Sequence, residues 1–196
     1  MSKRKIHIAI FASGSGTNAG KLIAHFQNHP SVNIRLIVCN NPKAKVLDIA
    51  AEHNIEVLLL EKGRFFEGDG YLEILKEKGI DWIVLAGFLW KVPVRLIKAY
   101  AEKIVNIHPA LLPKYGGKGM YGKYVHEAVI AAKETTSGIT IHLVDEIYDH
   151  GRVIFQVECT VDPADTPETL ANKIQALEHE YFGKIVEKVV CPPVTP

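Results

Sequence analysis

Apolar runs and polar turns alternate along the first half of the chain in a regular order. Residues 6–12 form a strand-length, partly β-branched run, and a polar, glycine-containing stretch then leads into Leu22, Ile23 and Phe26, whose spacing suits one helix face. The unit recurs. Residues 32–38 read as strand, 44–53 as helix, 57–60 as strand, 71–78 as helix and 82–86 as strand. A further helix is predicted over 94–100 and a fifth strand over 104–108, which Pro109 stops. Such alternation predicts a three-layer α/β fold, a mostly parallel twisted sheet with helices on both faces, in the Rossmann-like manner. Ligands of open sheets of this kind bind at the C-terminal ends of the strands.

Beyond His108 the rhythm changes. Residues 110–122 contain Pro113, Gly116, Gly117, Gly119 and Gly122, a loop long enough for either a closing lid or an inert connection. A helix is expected over 125–133. Two strands, 138–144 and 153–161, flank the turn Asp145-Glu146-Ile147-Tyr148-Asp149-His150-Gly151 and suit an antiparallel C-terminal addition. Thr166 and Pro167 resemble an N-cap with proline at the first helical position. The last helix carries Leu170, Ile174, Leu177, Tyr181, Ile185 and Val189 as an amphipathic stripe. Residues 191–196 read as a frayed tail, which leaves 1–190 as a single domain with no repeat or linker to divide it.

Composition narrows the class. With 196 residues and 47% of them hydrophobic, the chain can bury a substantial core, which excludes disordered and fibrous architectures. Lys and Arg number 23 against 22 Asp and Glu, without the positive excess that non-specific nucleic-acid binding needs, so an anionic ligand must be caught locally. The three cysteines are odd in number, far apart and without a C-x-x-C pair, arguing against a disulfide framework or a thiolate zinc site and for a reducing compartment. The basic opening precedes a run too short for a signal sequence or a membrane span. A soluble cytoplasmic protein is expected, with no membrane or nucleic-acid partner, no metal, and a monomeric or homodimeric state.

Three constellations carry candidate chemistry. The first is Ser13-Gly14-Ser15-Gly16-Thr17-Asn18 between the first strand and helix. Glycines let the backbone turn tightly against a ligand, and a helix start offers N–H groups to a phosphate. The third glycine of a dinucleotide fingerprint is missing, and the second strand ends in Cys39-Asn40-Asn41 without a ribose-gripping acid, so a mononucleotide-like phosphate fits better. The second is Asn106-Ile107-His108-Pro109. Residues two apart in a strand share a face, so Asn106 and His108 can meet one ligand together, as an oxyanion donor and a titratable imidazole. The third is Asp149 before His150-Gly151. A carboxylate reaching His108 would favour its protonated form, although Asp before a glycine turn is also ordinary turn chemistry.

Taken together, Gly14-Ser-Gly16-Thr17-Asn18, Leu85-Ala-Gly-Phe88, Asn106-Ile-His108-Pro109 with Leu111-Leu112-Pro113, and Gly138-Ile-Thr-Ile-His142 with Asp149-x-Gly151 resemble the phosphoribosylglycinamide formyltransferases, folate-dependent enzymes of purine synthesis. The resemblance runs in order from about residue 6 to residue 185. It implies that Gly16, Thr17 and Asn18 hold the phosphate of glycinamide ribonucleotide, with Gln175 and Glu178 as its second contact. It implies that Leu89, Trp90, Lys91 and Val92, with Asn106, Asp145, Glu146, Ile147, Tyr148 and Asp149, line the pocket for 10-formyltetrahydrofolate. Asn106, His108 and Asp149 match the catalytic trio, with His108 held protonated by Asp149. No folate contact is carried over to Arg64. Tyr124-Val-His126 stands where the family often has a His-x-His pair. His126 is expected to pack at the helix start and His142 to be a pocket or packing residue. Two related activities, methionyl-tRNA formyltransferase and formyltetrahydrofolate hydrolase, would add an RNA-binding or a regulatory domain, for which this chain has no room. A non-catalytic nucleotide sensor would need the glycine loop but not Asn106, His108 and Asp149 together.

Overall fold

The structure, a computed structural model, describes residues 4–69 and 71–192. Residues 1–3 of the basic opening, Gly70 and residues 193–196 of the expected tail lie outside the described residues. Seven strands form one sheet in the order β3-β2-β1-β4-β5-β6-β7. They are β1 (Ile6–Ala12), β2 (Val32–Cys39), β3 (Glu56–Leu59), β4 (Trp82–Leu85), β5 (Ile104–His108), β6 (Thr136–Leu143) and β7 (Val153–Thr160). β1 to β5 pair in parallel, whereas β6 pairs antiparallel with β5 and β7, the addition expected from the change of rhythm.

Two apolar layers sandwich the sheet. Ile8, Ile10 and Ala12 of β1 face α1 (Thr17–Phe26), α2 (Val46–Glu52), α6 (Lys123–Ala131) and α7 (Pro167–Val190). Ala9 and Phe11 face the opposite layer, with Phe65, Leu75 and Leu96 of α3 (Lys62–Phe66), α4 (Leu72–Glu77) and α5 (Val94–Ala99). Strict alternation holds along β1 because side chains of a strand point to opposite faces in turn. In β2 it breaks. Val32 and Ile34 share a layer with Ile37 and Cys39, because the register with β1 slips between Ile8 and Ala9 and leaves Arg35 as an extra residue.

Helix α3 was not expected from the sequence, since five residues give too short a period to read. The stripe on α7 is also corrected. Leu177, Tyr181 and Val189 are only partly buried, while Phe182, Val186 and Val190 join Leu170, Ile174 and Ile185 in the core. The seam follows 170, 174, 178 and 182 at steps of four, and so carries Glu178 inward. The cap at Thr166 is as predicted: its side chain accepts from Thr169 N–H, and Pro167 occupies the first turn.

The parity of β5 and β6 positions the site. Val105 and Ile107 of β5, with Ile139, Ile141 and Leu143 of β6, enter the α7 layer. Asn106, His108, Thr140 and His142 therefore share the other face, where Asn106 stands opposite His142 and His108 opposite Thr140.

Candidate functional site

A cleft of about 880 Å³ opens at the C-terminal edge of the sheet. It lies where β1 and β4 are neighbours although the chain visits β2 and β3 between them, the switch point of such a sheet. The β1–α1 turn, the loop after β4, the end of β5, residues 117–123, the loop after β6 and the inner face of α7 all contribute to its walls.

The glycine turn forms one end. Gly16 caps α1 with φ 74°, and a Cβ built there would stand 2.8 Å from Val46 Cα, so both dihedral and space demand glycine. No side chain caps α1, and its first turn holds no acidic residue, which leaves its N–H groups to an anion. Ser13 ties this turn to the next loop: its N–H donates to Gly87 O at 3.1 Å, and its hydroxyl accepts from Leu89 N–H at 2.9 Å. From α7, the Glu178 carboxylate accepts from the Asn18 amide at 2.9 Å, and Gln175 Nε2 lies 3.4 Å from Thr17 Oγ1. Burial pushes the Glu178 carboxyl up, partly offset by Asn18. Asn18 Oδ1 is itself buried without a protein partner among the described residues. A half-buried carboxyl beside open helix amides suits a ligand carrying hydroxyls or an amine next to its phosphate.

The second end is a hydrogen-bonded group of side chains. The Asn106 amide donates to His142 Nε2 at 3.0 Å, and His142 Nδ1 lies 2.8 Å from Leu143 O. A carbonyl only accepts, so Nδ1 bears the proton and His142 is neutral. Burial lowers its pKa to the same effect, against the Leu143 carbonyl and Asp149. His108 Nε2 lies 2.8 Å from Tyr115 O and therefore carries a proton, while Nδ1 faces Asp149 Oδ2 at 3.6 Å. That Asp149 oxygen accepts from Gly117 N–H at 2.8 Å, and the other stands 3.7 Å from His142 Nε2.

The expectation that Asp149 keeps His108 protonated is corrected. His108 is only 3% exposed, and burial lowers its pKa by more than Asp149 and the Tyr115 carbonyl raise it. The separation exceeds a direct hydrogen bond, so the attraction is real but does not repay desolvation.

Between these ends lie the remaining predicted residues. Leu89, Trp90, Lys91 and Val92 line the cleft, with Trp90 packed on Phe65 and Phe66 of α3. Asp145, Ile147 and Tyr148 form the facing wall, and Lys91 Nζ sits 5.1 Å above the Tyr148 ring, linking the two loops. Glu146 is not in the lining; its carboxylate instead approaches Lys98 of α5 at 3.9 Å. Arg64 lies over the Tyr71 ring and near Asp69, also outside the lining.

Two histidines gain importance over their sequence reading. His126 is 7% exposed, lines the cleft from α6 and has a buried Nδ1 with no protein partner among the described residues. His142 touches Asn106 directly. Its signal lies in the alternation of Thr140 and His142 with Ile139, Ile141 and Leu143, which turns the two polar residues to the site once β6 pairs antiparallel with β5. Among the described residues no three His, Cys, Asp or Glu side chains are arranged to hold a metal ion, and no helix is long and apolar enough to cross a membrane.

An α/β sheet with an open helix start at its switch point and an amide, two imidazoles and a carboxylate at the neighbouring strand ends defines a ligand-binding protein of the open-sheet α/β class. The more particular assignment follows from comparison: the model of the formyl transferase family matches residues 6–186, and the chain belongs to that family. It is 39% identical to the chloroplastic phosphoribosylglycinamide formyltransferase of Arabidopsis thaliana over 93% of its own length and 65% of the relative's. It thus spans less than two thirds of that relative. With the phosphoribosylglycinamide formyltransferase of Bacillus subtilis it shares 32% identity over 93% of each chain. The crystal structure of the Bacillus halodurans enzyme of that name superposes with a TM-score of 0.85 at 38% identity, over 95% of this chain and 96% of that one.

Proposed function

We propose that the protein transfers the formyl group of 10-formyltetrahydrofolate to the primary amine of 5-phosphoribosylglycinamide, giving the N-formyl product and tetrahydrofolate in purine biosynthesis. The observation that carries this reading is the direct Asn106–His142 contact beside His108 and Asp149, in the same cleft as the open start of α1. The ribonucleotide phosphate would meet the amides at Gly16, Thr17 and Asn18, with Glu178 and Gln175 on its ribose or glycinamide part. The folate would occupy the Leu89–Val92 and Asp145–Asp149 walls. Their mixture of apolar side chains and loop backbone fits a flat heterocycle, and the cleft has the size of a small-molecule site.

The amine nitrogen attacks the formyl carbon, and negative charge grows on the formyl oxygen. The Asn106 amide spends one hydrogen on His142 and has a second to offer that oxygen. Because burial lowers its pKa, His108 enters the reaction neutral in this reading, with the proton on Nε2 and the lone pair on Nδ1, on the Asp149 side. A proton leaving the amine changes His108 to an imidazolium with two acceptors, Tyr115 O and Asp149, and the growing oxyanion strengthens that preference. Collapse breaks the bond from the formyl carbon to N10, which receives the proton. Positive charge thereby appears when the oxyanion does. The odd, separated cysteines support a reducing compartment such as the cytoplasm, and the substrates are small molecules, acted on by a monomer or homodimer.

Mixing the protein with both substrates and following loss of the formyl-folate and appearance of the formylated ribonucleotide tests the reading. Turnover with this pair is expected; tight binding of both without turnover would favour a sensor and overturn it.

A further inference from the structure

The geometry points to Tyr115, braced by Glu134, as the positioning residue that fixes the orientation and proton of His108. The inference rests on His108 acting in the proposed transfer. The chain leaves β5 at His108 and doubles back so that the Tyr115 carbonyl lies 2.8 Å from His108 Nε2. This carbonyl dictates which nitrogen carries the proton and turns the other toward Asp149. Tyr115 holds it there with φ 55°, a left-handed backbone that tyrosine does not adopt without compensation.

The compensation comes from outside the catalytic group. The Tyr115 hydroxyl donates to Glu134 Oε1 at 2.9 Å, and Lys114 Nζ reaches the same oxygen at 2.9 Å. These two partners hold the Glu134 carboxyl below its usual range, so it stays charged. The Tyr115 ring also packs against the core layer of α6 and α7. The start of the turn is fixed separately: Thr140 Oγ1 donates to Ala110 O at 2.6 Å and accepts from Leu112 N–H at 2.9 Å, while Gln156 donates to Leu112 O at 3.0 Å. Asp149 in turn accepts from Gly117 N–H. Both groups that flank His108 are thus attached to residues 115–117, and the Tyr115–Glu134 bond ties this segment to the stretch after α6.

A merely structural bond between Tyr115 and Glu134 would affect stability alone. A positioning bond must affect His108, whose titration depends on Tyr115 O and on Asp149, His142 and His126 around it. The test compares Tyr115→Phe, Glu134→Ala and Glu134→Gln by kinetics and by NMR titration of the His108 ring. Tyr115→Phe and Glu134→Ala are expected to lower kcat at neutral pH about threefold to tenfold, the scale of one net hydrogen bond, with both KM values unchanged. In both, the His108 midpoint should move to lower pH, because a loosened Tyr115 carbonyl favours the imidazolium less. Glu134→Gln keeps an oxygen that accepts the hydroxyl and should restore wild-type behaviour. The double variant Tyr115→Phe/Glu134→Ala should lose no more than either single one. A His108 midpoint and kcat unmoved in Tyr115→Phe and Glu134→Ala would overturn the assignment. The titration needs no substrate, so it decides the matter even if the protein fails to transfer formyl groups, and the partly exposed Glu134 carries it if Tyr115→Phe does not fold.

Discussion

The two ends of the cleft are built from opposite materials. At the glycine turn, affinity for an anion comes from the backbone: Gly16 omits a side chain so that α1 can begin against Val46 and present bare amides. At the ends of β5 and β6, it is side chains that act, and each is oriented by another polar group in a place that water scarcely reaches. The first end is fixed by packing. The second is tuned by the competition between burial and charge, and that competition turns His108 away from the charge its neighbour would suggest. A backbone site is rigid because nothing in it can move without unpacking a helix; a side-chain network is adjustable because each member has a second acceptable state.

The largest effect should come from the network. Asn106→Ala removes a donor aimed at the growing oxyanion and strips His142 of its partner in the same step. A fall in kcat of about a hundredfold to a thousandfold is expected, corresponding to about 2.7 to 4 kcal/mol, with the ribonucleotide KM little changed. Steady-state kinetics with each substrate varied in turn checks this. A variant that kept kcat and lost ribonucleotide affinity would place Asn106 with the glycine turn and dissolve the contrast.

The contrast also explains what could be read from sequence. The glycine turn was legible because a conformational need leaves a residue type behind, and Asn106 with His108 because strand alternation is local. His142 is legible as a pocket or packing residue, but its meeting with Asn106 is not, since that depends on the register of two strands far apart in the chain. The balance that sets the charge of His108 is not legible, because a carboxylate is visible in a sequence and depth of burial is not. Glu146 belongs to a run whose neighbours line the cleft, but a turn sends adjacent side chains to different sides, and this one lies near Lys98 instead. The α7 stripe was offset because both 177–181–189 and 182–186–190 satisfy helical steps, and only the sheet beneath selects between them. The parity of β2 was likewise hidden by Arg35, which is unremarkable as a residue and becomes a bulge only against β1.

The rigidity of the backbone end is tested by Gly16→Ala against Gly14→Ala. At Gly16 the new Cβ enters Val46 and the left-handed dihedral is kept, so a loss of about 2 to 3 kcal/mol is expected. At Gly14 a Cβ meets nothing within 4 Å, and stability should change by about 0.5 kcal/mol or less. Denaturant melts of the two variants measure the difference. Since Gly16→Ala perturbs the fold, a raised ribonucleotide KM in it does not by itself identify the phosphate site. Equal stability in both variants would mean that the turn is not the packed element described.

Glu178 joins the two materials, a half-buried side chain serving the backbone end. Its pKa in the fold lies above the ordinary 4.5, so the folded state binds the proton more tightly than the unfolded one. Stability is therefore lost as pH rises from about 4.5 through the raised value, and stays lower at neutral pH. Glu178→Gln removes that penalty and keeps a partner for Asn18. It should raise Tm at pH 7 by about 1 to 3 °C while weakening the ribonucleotide about tenfold and sparing the folate. Calorimetry at pH 7 and at pH 4 with KM measurements checks it; an unchanged ribonucleotide KM would return Glu178 to a purely structural role.

The smallest effect should come from a charged cluster remote from both ends, which serves as the control for them. Near the C-terminus of α7, Glu187 meets His25 Nε2 at 2.6 Å and His29 Nε2 at 3.3 Å, and His25 can lie against the helix because a Cβ at Gly183 would come within 2.8 Å of its ring. The bond from His25, then that from His29, hold the Glu187 carboxyl below its ordinary 4.5 against the opposing effect of burial. For an acid depressed in the fold, the stabilisation is present above the unfolded pKa and disappears as pH falls through the folded one. Because the cluster is partly exposed and screened by solvent, Glu187→Gln should cost only about 0.5 to 1 kcal/mol near neutral pH. The gap in Tm between the wild type and the variant should narrow as pH drops below 4.5, with kcat and both KM values unmoved throughout. If the gap instead stayed constant down to pH 3, the contribution of Glu187 would be packing against His25 rather than charge, and the sensitivity of the catalytic network to proton binding could no longer be set apart by comparison with this cluster.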